Sequence, residues 1–146
     1  MRFFHISDLH FGKLLYGYDL TEEHRNFIEQ LGDYCDKYNP DAVLIAGDVY
    51  DRSVPSADAM TLLDELLNKL SGRKVFIISG NHDNAKRLSF GKDFLKKHDI
   101  YISTVPQTGE NEKIEKVTFA DEYGNVNIYM LPFLKPALFK NSMPEE

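Results

Sequence analysis

The 146 residues are 42% hydrophobic and 27% charged, the balance of an ordinary soluble globular domain with enough chain to bury one core. With 17 basic against 23 acidic residues the net charge is −6, so the basic excess that marks a nucleic-acid surface is missing, although bound metal ions would attract phosphate whatever the net charge. One cysteine, Cys35, excludes an internal disulfide and a multi-cysteine zinc site. No apolar run approaches the length of a membrane span, and the first residues enter a strand-like pattern without the form of a signal peptide. The expected setting is a reducing cytoplasm, with no membrane partner.

Residues 2–6 are short and bulky, as in a buried strand, with His5 directed to the core. Residues 7–18 hold two glycines among polar residues and read as a loop. A helix is expected from Asp19 or Thr21 to about Tyr38, with Glu22 placed to close a capping box on Asp19. Phe27, Leu31, Tyr34 and Tyr38 form its apolar face, Cys35 lies on the apolar side and His24 faces solvent. Asn39-Pro40 ends it. The unbroken apolar run over 42–46 marks a strand buried on both faces. A loop through Pro55 leads to a helix over 56–70, with Leu62, Leu63, Leu66, Leu67 and Leu70 on one side and Ser71-Gly72 closing it. Another buried strand is expected at 75–78, a helix at 84–97 and a short strand at 100–102. Residues 115–120 and 126–131 read as a hairpin around Tyr123-Gly124-Asn125. The tail over 132–146 carries three prolines and shows no domain-closing element. The alternation of strands and helices predicts an α/β fold with a largely parallel sheet.

Three clusters carry chemistry. Asp8-Leu9-His10 follows the first strand, Gly47-Asp48 the second and Gly80-Asn81-His82-Asp83 the third. In open α/β sheets, functional groups gather at the carboxyl ends of strands. Singly, an Asp after a strand is usually a turn or helix cap, and an Asn-His pair in a loop is usually inert. Three strand ends together deliver carboxylates, imidazoles and an amide to one sheet edge, a mixture that suits borderline divalent ions. Two such ions stabilise the attacking and leaving oxygens of a phosphoryl displacement.

These motifs, D-x-H, G-D and G-N-H-D, resemble those of the calcineurin-like metallophosphoesterases. The opening residues 2–13 and the segment 46–56 are similar to the SbcD-type DNA nuclease branch, clearly so through about Arg87. The resemblance implies a metallophosphoesterase-type β-sandwich flanked by helices. It implies that Asp8 and His10 bind one metal, Asp48 bridges two and Asn81 binds the second, with manganese the expected ion. His82 would sit beside the bound phosphate, orienting it or protonating the leaving oxygen, and Asp83 would hold His82 in place. The implied partners are DNA, an SbcC-type ATPase and a second copy of the chain through helices of the first half. The family pattern continues with further histidines. After His82 this sequence has only His98, read as a surface residue near a helix end. The expectation is therefore that residues 1–146 form the N-terminal part of one nuclease domain, incomplete at the C-terminus, with weak metal binding and little activity.

Beside the motifs, Asp51 and Arg52 shape the substrate side of the site or form a loop ion pair, and Arg52 is taken as a substrate-binding candidate. Phe11, Lys13, Tyr16 and Tyr18 form an aromatic and basic loop that either holds a nucleic-acid strand or plugs the core. Rival functions are a small phosphodiesterase or phosphatase of the same superfamily, and a catalytically dead dimerisation module.

Overall fold

The computed structural model describes residues 1–105 and 114–134. A four-stranded sheet, all parallel, runs in the order β1 (Phe3–Ile6), β4 (Ala42–Ala46), β5 (Val75–Ile78), β6 (Ile100–Ser103). Between β1 and β4 lie a small antiparallel pair, β2 (Leu14–Leu15) and β3 (Tyr18–Asp19), and helix α1 (Thr21–Tyr38). Helix α2 (Ala57–Lys69) joins β4 to β5. Two short helices, α3 (Ala85–Leu88) and α4 (Lys92–Leu95), and a 3-10 turn over Lys96–His98 lead to β6. An antiparallel hairpin, β7 (Glu115–Asp121) and β8 (Gly124–Met130), completes the described chain.

Strand alternation sorts the core into two layers. Phe4, Ile6, Val43, Ile45, Val75, Ile77, Ile100 and Ile102 meet the helices, where Ile28, Leu31, Cys35, Leu62, Leu66 and Leu70 join the main cluster. On the opposite face Phe3, Leu44, Phe76, Ile78 and Tyr101 pack against Val117, Phe119 and Met130 of the hairpin. Burial on both faces explains the unbroken apolar runs of β4 and β5. Helices thus cover one face of the parallel sheet and a second small sheet covers the other, the α/β sandwich that the sequence implies.

Local differences have physical causes. The capping box does not form: Asp19 Oδ1 accepts from the Thr21 amide at 2.8 Å and the Thr21 hydroxyl at 2.6 Å, while Glu22 turns to Arg25 at 2.7 Å. The inward face of α1 is Ile28, Leu31, Gly32 and Cys35, whereas Tyr34 and Tyr38 stack on each other outside, at 6.1 Å between ring centroids. Arg2 and Lys37 place their charges over the Tyr38 ring. That aromatic and cationic strip satisfies the tyrosines without burying them. Ser56 caps α2 by accepting from the Ala59 amide at 3.2 Å. The helix expected over 84–97 is broken by Gly91, whose φ of +72° is left-handed. The loop expected over 7–18 contains the short β2–β3 pair. His5 is exposed among the described residues, so it is not the core histidine that the sequence suggested. His24 is not solvent-facing: it is half-buried, its ring edge-on to Phe11 at 5.2 Å. His98 is exposed and lies 4.8 Å from the Phe94 ring. The far tail, 135–146, lies outside the described residues.

Candidate metal centre

Parallel strands end together, so β1, β4 and β5 release their loops at one edge. The loops are zipped by main-chain bonds: Asp8 N to Gly47 O at 3.1 Å, His10 N to Asp48 O at 2.9 Å, Phe11 N to Val49 O at 2.9 Å and Asp51 N to Phe11 O at 3.1 Å. Asp8, His10 and Asp48 have φ of 56°, 47° and 49°. Left-handed backbone disfavours side-chain-bearing residues, and three of the six such non-glycine residues among those described are these candidate ligands.

Gly47 and Gly80 permit the approach of the β4 and β5 loops. A Cβ on Gly80 would stand 2.0 Å from Asp48 Oδ1 and 2.3 Å from Asp48 N. A Cβ on Gly47 would stand 2.9 Å from the Gly80 Cα. The Asp83 carboxylate locks the two loops, accepting from the amides of Gly80 at 2.9 Å, Tyr50 at 2.9 Å and Val49 at 3.2 Å. Asp83 therefore organises backbone, and does not hold the His82 ring as the sequence suggested. That ring is set by Asp51: His82 Nδ1 lies 2.7 Å from the Asp51 carbonyl oxygen. A carbonyl only accepts, so Nδ1 carries the proton and Nε2 is left available.

Asp48, 8% exposed, sits at the centre. Its Oδ1 accepts from the His82 amide at 2.9 Å. Its Oδ2 lies 3.9 Å from His10 Nε2, which is also 3.8 Å from Asp8 Oδ1. These distances exceed a hydrogen bond. They suit ligands that share an ion, since donors roughly 2.0–2.2 Å from a metal stand at most about 4.4 Å apart. Among the described residues, two groups have donors within 4.8 Å of one another, Asp8–His10–Asp48 and His10–Asp51–His82. His10 Nδ1 is buried without a hydrogen bond, although Asp51 Oδ1 is 3.3 Å away. Donor type and spacing around His10 Nε2 fit a divalent ion, with Nδ1 left facing Asp51. Beside this group opens a cavity of about 320 Å³, lined by Asp8, Asp48 and Asn81 together with Leu131, Pro132 and Phe133. The Phe133 amide fixes that wall by donating to Ser79 O at 2.8 Å.

A family model described as calcineurin-like phosphoesterase matches residues 1–143. The chain belongs to that family. The SbcD component of the SbcCD nuclease of Staphylococcus epidermidis is 34% identical to it over 136 residues, 91% of this chain and 34% of that protein. The phosphoesterase chain thus spans about a third of the length of this curated relative.

Within the phosphoesterase frame, the structure brings Asp8, His10 and Asp48 together, places exposed Asn81 at the adjacent cavity and sets His82 beside His10, with ring centroids 5.0 Å apart. Arg52 is not gathered in: its side chain is exposed, with Nε 3.9 Å from Asp51 Oδ2. Phe11 is the core plug, 1% exposed, whereas Tyr16 and Tyr18 stand in solvent. Glu23 accepts from the Tyr18 hydroxyl and raises its pKa. Sequence reasoning gave Asp51 no more than an open role. Its place three residues after Asp48 on the same loop was the available signal. No membrane-length apolar helix occurs among the described residues.

Proposed function

We propose that the chain carries the metal-binding part of a nuclease site that hydrolyses DNA phosphodiesters. Support comes first from the convergence of Asp8, His10 and Asp48 on left-handed backbone at the ends of two adjacent strands, and second from the identity to a component of the SbcCD nuclease. Asp8 and His10 would hold one ion, Asp48 would offer one oxygen to each of two, and Asn81 would hold the second. Mixed carboxylate, imidazole and amide donors suit borderline divalent ions such as manganese, zinc or iron, of which manganese is the one proposed. Bound divalent ions supply Lewis-acid activation of the phosphoester. His82 keeps Nδ1 on the Asp51 carbonyl and presents Nε2, which in the imidazolium form donates a proton to the departing oxygen. Asp83 keeps the amides of Gly80, Val49 and Tyr50 in place, so that Asp48 and His82 stay in register.

The proposed setting is a cytoplasmic DNA-end-processing complex with an SbcC-type ATPase. The exposed outward residues Tyr34 of α1 and Met60 of α2 are in keeping with a helical dimer face. Residues 1–146 are proposed as the N-terminal part of one nuclease domain, with weak metal binding and low activity for this chain. The net charge of −6 favours a rival, hydrolysis of a small phosphodiester. Manganese-dependent cleavage of linear DNA, compared with a chromogenic phosphodiester, separates the two. DNA cleavage lost in Asp48→Ala is the expected result. Hydrolysis of the small ester without any DNA cleavage would move the assignment to the rival, and light scattering would test the dimer.

A further inference from the structure

We propose that the exposed surface of α3, α4 and the 3-10 turn after them is a track for a single strand of nucleic acid. Lys86, Arg87, Lys92, Lys96 and Lys97 would take the phosphates, and Phe90 and Phe94 would take the bases. The inference rests on the reading of the metal centre as a nuclease site and names the surface that holds its substrate.

The chain carries 17 basic residues against 23 acidic ones, but the charges are not evenly spread. Residues 85–98 hold those five cations and a single acid, Asp93. All five are exposed. On the α1–α2 side, Arg25, Lys69 and Arg73 each find a carboxylate. Among the described residues, none of the five forms an ion pair. Lys92 and Lys96 stand four residues apart and Lys96 adjoins Lys97. Like charges at such spacing disfavour the folded segment, and a polyanion laid along it would relieve the repulsion.

Aromatic side chains stand among these charges in solvent. Phe90 is 85% exposed and Phe94 65%, and the Phe94 ring lies 4.8 Å from that of exposed His98. Rings interleaved with cations are what hold a single strand, the rings by stacking on bases and the cations by following the backbone. The segment is also anchored. Asn84 caps α3 by accepting from the amides of Lys86 at 3.1 Å and Arg87 at 3.2 Å. Leu88 is buried in the main core and Leu95 packs against it, which leaves the cations and phenylalanines outside.

Position ties this surface to the metal centre. The segment begins directly after Asn81, His82 and Asp83. At about 3.6 Å per residue at most, the Lys86 Cα is within about 14 Å of that of His82, the length of roughly four nucleotides of a strand rising about 3.4 Å each. A strand with one phosphate at the metal centre meets the first cations within a few nucleotides. The net charge of −6 does not oppose this, because the charges that touch the strand are local.

The test is fluorescence anisotropy of a labelled oligothymidylate with the chain, in EDTA, so that binding does not depend on the metal centre. The double variant Lys96→Ala, Lys97→Ala is expected to bind more weakly, with the log–log salt slope flattened by about 1.4, at about 0.7 for each phosphate contact. The double variant Lys37→Ala, Lys116→Ala removes the same charge from exposed positions elsewhere and should change neither. Phe90→Ala and Phe94→Ala should each weaken binding about tenfold, the scale of one lost base stack, with the salt slope kept. Equal affinity in the two lysine pairs would overturn the track, as would full affinity in both phenylalanine variants or no binding by the unaltered chain. Self-association that both phenylalanine variants lose, with oligonucleotide binding untouched, would overturn it by giving the surface to a second copy. None of these results touches the nuclease reading, which stands or falls on manganese-dependent DNA cleavage.

Discussion

Gly80→Ala tests how tightly the β4 and β5 loops are built. The added methyl would lie 2.0 Å from Asp48 Oδ1, against the 3.0 Å below which real Cβ atoms essentially never approach a neighbour. The carboxylate must therefore move by about 1 Å. The backbone cannot easily yield instead, because Asp48 O accepts from His10 at 2.9 Å and Asp48 N is itself 2.3 Å from the new atom. Reduced freedom of the unfolded chain favours alanine by about 0.4–1 kcal/mol, and overpacking disfavours it by about 1–3 kcal/mol. Overpacking prevails, and at roughly 2–4 °C per kcal/mol for a domain of this size the melting temperature should fall by a few degrees. Metal ligation tolerates roughly 0.2 Å, so manganese affinity should fall far more than stability does, by about tenfold or more. Gly72→Ala is the control. Its new Cβ meets nothing within 4 Å, but its φ of +81° is left-handed, which costs about 1–2 kcal/mol. Calorimetry should therefore find both variants destabilised and only Gly80→Ala impaired in manganese binding. Unimpaired binding by Gly80→Ala would refute the close-packed geometry.

Asp83→Ala strands three backbone donors in a buried place, and should destabilise the chain by about 3 kcal/mol or more in urea unfolding; a loss under about 1 kcal/mol would mean that water replaces the carboxylate. Leu66→Ala, at a fully buried position of α2, should cost about 2–5 kcal/mol with little change in manganese affinity. Burial and the nearby Asp83 charge push the Tyr50 pKa up to about 12. Because the folded value is raised, the neutral phenol's contribution to stability is complete below the unfolded pKa near 10 and is lost as pH rises from there through about 12. Ultraviolet titration should find a late-ionising phenol that is absent from Tyr50→Phe, and the substitution should remove that component of alkaline sensitivity.

The sequence made the sheet legible because strands buried on both faces must be unbroken apolar runs, and 42–46 and 75–78 are such runs. Asp8, His10, Asp48 and the loop of Asn81 and His82 were legible because each directly follows a strand. Leu31 and Cys35 of α1 face inward as the sequence suggested, but Tyr34 and Tyr38 do not, because periodicity alone does not separate the stripe of Ile28 from its neighbour. The tyrosines find each other and nearby cations outside the core. Asp83 was assigned to the wrong partner because its three acceptor bonds go to amides, which leave no trace in residue identity. His24 meets Phe11, and Asp51 meets His10 and His82, only when α1 and the β4 loop fold back onto the residues after β1.

The most direct measurement is manganese binding by calorimetry to the chain and to Asp48→Ala. Asp48 belongs both to the Asp8–His10 group and to the lining of the cavity at Asn81, so every proposed ion depends on it. Weak binding, at one equivalent or less, that disappears in Asp48→Ala is the predicted result. Binding that survives the substitution unchanged would contradict a metal centre built around Asp48.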